Sequence, residues 1–279
     1  MFAALIQENW YDILTSDFMR RAYIGGTLLA ITGGLIGYFV VIRRLAFASH
    51  ALGHLGMPGA TGAVLVGLPL TLGLAVFSIA GGLAIGVLGK RAADREVATG
   101  SILAFSIGLG LAFANLVSGQ SSLLTNVLFG NLLAITAQQI WVFAGFSVVL
   151  LAALAVIARP LLFASVAPEV AAARGIPVGG LGVLFVVMMA LAVTMAVPFV
   201  GTLLLFALLV TPAAAALAIT PRPGLASILS VVIALVSVWG GLFLSALFDL
   251  AASFFIVTIA VVIWLVATIV HRRGTTAAL

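Results

Sequence analysis

The sequence predicts an all-α polytopic membrane protein with eight to nine transmembrane helices and a short cytoplasmic helix. Hydrophobic residues make up 64% of its 279 residues and charged residues only 7%, against about 45–50% and about 25% in a soluble domain. So few charges cannot cover a water-facing surface, and most of the exterior must therefore face lipid. The apolar runs are continuous and rich in Leu, Ala and Gly rather than alternating, which favours helices over membrane β-strands.

The predicted spans are apolar runs of about 20 residues, the length of a helix that crosses a bilayer. They cover residues 22–42, 46–66, 70–89, 97–118, 139–158, 179–198, 200–219, 225–246 and 251–270. The stretch 199–219 contains Pro212 and is a candidate for a broken or re-entrant segment, which leaves eight or nine spans. Because only short polar loops separate the spans, we expect residues 1–279 to form a single membrane domain.

Residues 1–18 are predicted to be an interfacial segment of that domain. Three acidic residues interrupt them and no basic region begins them, which argues against a cleavable signal peptide. Trp10 and Tyr11 suit the headgroup region of a bilayer, where amphipathic rings are favoured.

The positive charges predict the orientation of the chain. In a nine-span arrangement only Arg20 and Arg21 fall on one side of the membrane. The other ten Lys and Arg residues fall on the opposite side: Arg43, Arg44, Lys90, Arg91, Arg95, Arg159, Arg174, Arg222, Arg272 and Arg273. Because cytoplasmic loops carry an excess of Lys and Arg, we expect the N-terminus outside and the C-terminus in the cytoplasm.

Several chemistries are excluded by what the chain lacks. It has no cysteine, which rules out disulfides, thiolate sites and iron–sulfur clusters. Its only Gly-Lys pair, Gly89-Lys90, is followed by Arg91, and position 84 is alanine, so no Walker A loop is present. Any ATP hydrolysis must therefore take place on a separate polypeptide.

Two glycine patterns indicate close helix packing. Gly33-x-x-x-Gly37 and Gly82-x-x-x-Gly86 are small-xxx-small spacings that let helices approach each other. The signal is weak, because a chain with 30 glycines produces such spacings by chance.

The sequence HALGH at residues 50–54 places two histidines inside a predicted span. His50 and His54 are four residues apart, so their Cβ atoms lie about 5–6 Å apart on one face of a helix. Two imidazoles at this separation can share a metal ion. Pro58 is expected to kink the helix and free the carbonyl of His54. The neighbouring residues are small enough to leave room for another helix or a water path: Ala48, Ser49, Ala51, Gly53 and Gly56.

The histidine pair has other interpretations. The two side chains could bond neighbouring carbonyls and join helices, or could form a proton relay without metal. A metal role needs further ligands, because zinc usually takes four. An incomplete shell suits a carrier that must release its ion, so we expect no resident cofactor and a transported divalent metal ion instead.

Asp249 is the third ionisable residue, after His50 and His54, that is a candidate to lie within a span. It lies in SALFDLAAS at the predicted outer end of a span. One interpretation makes it an N-cap or first-turn acid of the last helix, where the helix dipole favours a negative charge. The other makes it a metal-attracting carboxylate at an outer mouth.

The segment 159–180 predicts a short helix on the cytoplasmic side. The helix is expected to run from about Pro168 to Arg174, with Glu169 in its first turn and Gly175 ending it. Such a helix between spans is suited to docking a partner, although an ordinary interfacial loop is the alternative.

Six segments, in this order, resemble a known family. They are FMRRA (18–22), VIRRLAFASHALGHLGMPGA (41–60), LFGNLLAIT (128–136), APEVAAARGIPV (167–178), VGTLLLFALLVTPAAAALA (200–218) and LSALFDL (244–250). They resemble the membrane permease subunits of the ABC importers that take up zinc, manganese and iron.

This resemblance implies a non-catalytic permease of a prokaryotic plasma membrane, built as a homodimer. Two cytoplasmic ABC ATPase subunits and an external metal-binding protein are the implied partners. His50 and His54 would be ligands along the translocation path, which alternates access between the two sides. Residues 163–178 would form the coupling region, with Pro168, Glu169, Arg174 and Gly175 facing the ATPase.

The chain departs from the family pattern at the histidine pair, at the start of the coupling helix and after Asp249. The family usually carries Asp where this chain has His50, so each subunit loses one negative charge. Because zinc accepts nitrogen readily while manganese prefers oxygen, the exchange favours zinc over manganese or iron. Ala167 replaces the usual acid at the start of the coupling helix, and Ala251-Ala252-Ser253 replaces a Pro-Thr-Gly type of turn, which weakens the assignment of Asp249.

Two other functions fit parts of the sequence. A secondary cation carrier or channel would use the histidines as a proton or ion relay and would need no docking helix. A permease for cobalamin or siderophore chelates would need a wide pathway and no paired ligands.

Overall fold

The computed structural model describes residues 10–89, 92–117, 130 and 132–276, and within them the predicted all-α fold is confirmed. The described residues form ten α-helices, and a 3₁₀ turn, Leu132–Ala134, precedes α6. The helices are α1 (Trp10–Thr15), α2 (Asp17–Ile42), α3 (Ala46–Leu65), α4 (Leu70–Leu88), α5 (Ala92–Leu116), α6 (Ala137–Val166), α7 (Pro168–Ala173), α8 (Val178–Ile219), α9 (Pro223–Phe248) and α10 (Ala252–Thr276).

Seven of the described helical segments are long and apolar enough to cross a membrane: α2, α4, α5, α6, the first part of α8 (Val178–Thr202), α9 and α10. The second part of α8, Leu204–Ile219, is a shorter apolar helix. Helix α3 has 20 residues but is less apolar, because it carries two histidines and several glycines. These segments correspond in position to the nine predicted spans.

One predicted boundary was wrong, and the break predicted within 199–219 is present at a residue other than the proline. The span expected to end at residue 158 continues through Arg159 and Pro160 to Val166, as the 30-residue helix α6. At about 1.5 Å per residue this helix is longer than the bilayer is thick, so its last turns reach past the hydrocarbon. The break expected in 199–219 does not lie at Pro212, which is inside α8; it lies at Gly201.

Contacts between α-carbons group the chain into two compact units. The first consists of 1–41, 131–147 and 207–279, and the second of 42–130 and 148–206. The expectation of one membrane domain over residues 1–279 remains a prediction.

In the first unit, α2 packs against α9 and against the second part of α8. A Cβ on Gly34 would lie 2.8 Å from the Cα of Val231, and the Ser230 hydroxyl donates a hydrogen bond to the Gly34 carbonyl at 2.8 Å. A Cβ on Gly37 would overlap the carbonyl oxygen of Leu209. These helices therefore touch through their backbones, which only glycine permits.

Helix α1 lies at the start of this unit and has no buried residue. Its Trp10 ring contacts Phe243 of α9 edge-on, with centroids 6.5 Å apart. Tyr11 is 65% exposed, in keeping with the predicted interfacial segment 1–18, of which residues 1–9 lie outside the described residues.

In the second unit, α3 packs against both α4 and α5. A Cβ on Gly59 would overlap the backbone of Gly73 in α4, and Gly110 of α5 lies against Met57 and Pro58. The Thr61 hydroxyl donates to the Met57 carbonyl at 2.9 Å, and the helix continues through Pro58 to Leu65. Helix α3 is therefore buried through close backbone contacts at its small residues, together with the apolar side chains of Leu52 and Leu55.

The two glycines of the first small-xxx-small pattern are predicted to respond differently to substitution. Gly37→Ala should lower the free energy of unfolding by at least about 2 kcal/mol, because the added methyl overlaps the Leu209 carbonyl. Gly33→Ala should be tolerated, because nothing lies within 4 Å of the position that its added methyl would take. Thermal unfolding of the two variants in detergent tests this, and equal midpoints would contradict it.

Candidate functional site

The candidate site begins with His50 and His54 on one face of α3. Their ring centroids are 4.8 Å apart and the rings are nearly perpendicular, at 78°. Both side chains are partly buried. The Nδ1 atom of His50 is fully buried and has no hydrogen-bond partner among the described residues. The predicted pairing of the two imidazoles on one helix face is therefore present in the fold.

The break in α8 lies beside this pair. Gly201 has φ 73° and ψ 167°, a conformation that is essentially restricted to glycine. Beyond it, the Phe206 ring contacts the His50 ring with centroids 5.1 Å apart. A Cβ on Gly53 would lie 3.6 Å from the carbonyl oxygen of Thr202, so α8 approaches α3 closely between the two histidines.

Gly130 lies directly against the break. Its own φ is 65°, and a Cβ at this position would overlap the backbone of Val200 and Gly201. Two glycines with positive φ therefore meet backbone to backbone. Of the segment LFGNLLAIT, Phe129 and Asn131 lie outside the described residues.

The described residues contain no group of three or more His, Cys, Asp or Glu side chains that could hold a metal ion. Among the described residues the histidine pair is thus a two-donor site without a third His, Cys, Asp or Glu ligand. Such a site binds loosely compared with a four-ligand zinc site.

Helix α7 has the boundaries that the sequence predicts. Pro168 occupies its first turn and Arg174 is the C-cap residue. Gly175 has φ 78° and donates its N–H to the Ala172 carbonyl at 3.0 Å, while Ile176 donates to Ala171 at 3.0 Å. This pair of bonds is the Schellman motif, in which a left-handed glycine ends a helix.

The surface of α7 is largely open. Ala171 is its only buried residue, and Glu169 and Arg174 are both exposed. The Arg174 guanidinium lies 5.5 Å from the centroid of the Phe163 ring, a cation–π contact that orients it. The helix therefore presents a charged and a small-residue surface that the described part of this chain does not cover.

A hydrogen bond links the turn before α3 to the end of α6. Arg43 donates from Nη1 to the Ser165 hydroxyl at 3.1 Å, and its guanidinium lies 5.9 Å from the Phe185 ring centroid. Arg43 precedes α3 by three residues and Ser165 precedes α7 by three. A cavity of about 870 Å³ lies beside this link and reaches Arg44 and Pro168.

Asp249 does not cap the last helix. It is the C-cap residue of α9, in the left-handed conformation with φ 53°, and α10 begins only at Ala252. The interpretation as an N-cap or first-turn acid of α10 is therefore wrong. The side chain is exposed, and its metal role remains a prediction.

Comparison with known proteins identifies the family. A model of the ABC 3 transport family matches residues 15–271. The chain belongs to the ABC 3 transport family. The multi-pass helical fold and the resemblance found in the sequence agree with this membership.

Individual members of the family are similar over nearly the whole chain. Identity is 29% over 250 residues with the manganese transport system membrane protein MntC of Halalkalibacterium halodurans, covering 89% of this chain and 86% of that protein. It is 26% over 264 residues with the manganese import system permease protein ScaB of Streptococcus gordonii, covering 94% and 95%. The solved structure of PsaBC from Streptococcus pneumoniae in complex with Fab matches with a TM-score of 0.82 at 26% identity, covering 96% and 95%.

Sequence reasoning missed the part of the candidate site that α8 contributes. Gly201, Thr202 and Phe206 lie within an apolar run and show no ligand spacing of their own. A glycine followed by threonine in the middle of such a run was the available signal, but the proline at position 212 is the stronger helix breaker by propensity.

Replacing Gly201 is predicted to disturb this site more than replacing a glycine in open space. Gly201→Ala should cost about 1–3 kcal/mol of stability, because its φ of 73° strains any residue with a Cβ. Gly108→Ala in α5, where nothing lies within 4 Å, is the matched control. Thermal unfolding in detergent measures both, and an unchanged midpoint for Gly201→Ala would show that the break is not a feature of the folded protein.

Proposed function

We propose that this protein is the membrane permease subunit of an ATP-driven ABC importer for a divalent transition metal ion. The observation that carries the proposal is the close pair of imidazoles of His50 and His54 in a chain of the ABC 3 family. A partly buried pair of neutral nitrogen donors suits a metal ion that has lost part of its water. The permease itself carries out no chemical reaction.

Two observations bear on the identity of the ion, and they favour different metals. The named relatives are described as manganese transport proteins, which supports manganese. The donor set of two imidazoles supports zinc, because manganese prefers oxygen ligands. The proposed cargo is therefore a divalent transition metal, with zinc preferred by the residues of this chain and manganese or iron as the competing ions.

Helix α7 is the proposed contact with the ATPase. It is short, ended by a defined glycine motif and exposed on most of its surface. The bond between Arg43 and Ser165 joins the segment before α7 to the segment before α3. A displacement of α7 on ATP binding would therefore be transmitted to α3, which carries His50 and His54, through a directional hydrogen bond. A contact between apolar side chains is not directional and would transmit the displacement less well.

The proposed assembly is a homodimer of permeases with two cytoplasmic ATPase subunits and an external metal-binding protein, in a prokaryotic plasma membrane. Alternating access to the ion site is driven by closure of the ATPases. The charge distribution supports an external N-terminus and a cytoplasmic C-terminus, which puts α7 on the ATPase side.

The metal preference is predicted to depend on His50. In reconstituted complexes, His50→Asp should shift the ratio of Zn²⁺ to Mn²⁺ uptake toward Mn²⁺ by about tenfold, because a carboxylate adds an oxygen donor and a negative charge. His54→Ala should abolish uptake of both ions. Competition among Zn²⁺, Mn²⁺ and Fe²⁺ with radioactive tracers measures the ratio.

The control for this experiment is His271→Asp, which makes the same exchange at the third histidine. An unchanged ratio in His50→Asp would end the argument for zinc. Uptake by the wild-type chain without ATP or an ATPase would instead support the secondary carrier or channel. Uptake of a chelate but not of the free ion would support the chelate permease.

The coupling role of α7 is predicted to require its two charged residues. The double variant Glu169→Ala, Arg174→Ala should reduce recovery of the co-expressed ATPase subunit with the permease by about tenfold. Arginine is enriched among the residues that dominate interface affinity, and removing one member of a charge pair buried in the complex leaves its partner's charge unpaired. Arg222→Ala, an exposed arginine at the start of α9, is the control. Equal recovery of the ATPase by both variants would contradict docking through α7.

A further inference from the structure

Thr202 is the first residue after the break in α8, and its hydroxyl is unusual. The side chain is 2% exposed, and its Oγ1 atom has no hydrogen-bond partner among the described residues. In an apolar environment an unpaired hydroxyl is unfavourable. The group is therefore available to a partner that is not part of the described chain.

Several other threonines in the described helices satisfy their hydroxyls locally. Thr61 donates to the carbonyl four residues back at 2.9 Å, and Thr194 does the same at 2.9 Å in the same helix as Thr202. For Thr202 the carbonyl four residues back belongs to Pro198, on the other side of the non-helical Gly201. The break therefore removes the usual intrahelical acceptor.

Thr32 and Thr99 also have buried hydroxyls without a partner among the described residues. Both lie inside continuous helices, where a carbonyl four residues back remains in reach of another rotamer. The backbone itself explains the unpaired state only at Thr202.

Thr202 also lies against the helix that carries the histidine pair. A Cβ on Gly53 would lie 3.7 Å from the Cβ of Thr202, and Gly53 directly precedes His54. Phe206, one turn after Thr202 on the same face of α8, contacts the ring of His50. Two buried polar atoms without described partners, His50 Nδ1 and Thr202 Oγ1, thus lie on two helices packed against each other.

We propose that the Thr202 hydroxyl is a third ligand of the transported ion. It would donate an oxygen to the divalent metal ion as that ion passes His50 and His54. This inference rests on the proposed function. It explains why the helix is broken one residue earlier, since the break frees the hydroxyl for the ion. It also supplies an oxygen ligand on a chain that has a nitrogen donor at His50, which widens the range of accepted ions toward harder metals.

The test compares Thr202→Val, which keeps the shape and removes the hydroxyl, with Thr202→Ser, which keeps the hydroxyl. Thr194→Val is the matched control, because that hydroxyl is buried in the same helix and bonded to the Ala190 carbonyl. The wild-type and variant permeases are reconstituted with their ATPase, and the KM and kcat of Mn²⁺ and Zn²⁺ uptake are measured. The rise of the unfolding midpoint on adding Mn²⁺ or Zn²⁺ to the detergent-solubilised permease gives a second readout, independent of transport.

A ligand role predicts that Thr202→Val raises the KM by about tenfold, more for Mn²⁺ than for Zn²⁺, and diminishes the metal-induced rise in midpoint. Thr202→Ser should restore most of the metal response that Thr202→Val loses, and Thr194→Val should behave as wild type. An unchanged KM and an unchanged metal-induced rise in Thr202→Val would overturn the inference while leaving the proposed function intact. Absence of ATP-dependent metal uptake by the wild-type complex would overturn the proposed function itself, and the ligand role of Thr202 with it.

Discussion

Close contact between helix backbones is the constraint on which this structure depends. Within a bilayer no water is available to satisfy polar groups, and apolar side chains gain little from moving out of lipid. Helices are held together by fit, and the closest fit is reached where glycine lets one backbone touch another. The contacts of Gly37 with Leu209 and of Gly59 with Gly73 are of this kind. The contact of Gly59 helps to explain why α3, which is less apolar than the seven membrane-crossing segments, is nevertheless well buried.

The same constraint builds the candidate site. Gly53 lets Thr202 approach α3, and Gly130 lies against Gly201 where α8 is broken. A helix break in lipid exposes backbone groups that must be covered by protein or line a cavity. Here the break lies beside two imidazoles, and broken helices beside ligand side chains are typical of transport sites near the middle of a membrane.

The features that could be predicted from the sequence are those that depend on the spacing of residues close together in the chain. The i, i+4 separation of His50 and His54 determines their shared face in any α-helix. The order of Pro168, Glu169 and Gly175 carries its own start and stop signals, and α7 begins and ends where they indicate. By contrast, Arg159 and Pro160 predict a loop because a charge and a proline usually end an apolar run, yet α6 continues through them. Its extra turns extend beyond the hydrocarbon, where a charge is tolerated.

The sequence by itself determined the class of the protein, its helices, its paired histidines and its short exposed helix, because composition and local spacing carry this information. Only the tertiary structure decided that α8 breaks at Gly201 rather than at Pro212, and that Asp249 ends α9 instead of starting α10. It also decided that Thr202 lies against Gly53 of α3 and that Phe206 contacts His50. Each of these features depends on which helix backbones lie against each other in the folded protein. Such contacts join residues that are far apart in the chain, and neither propensity nor periodicity records them.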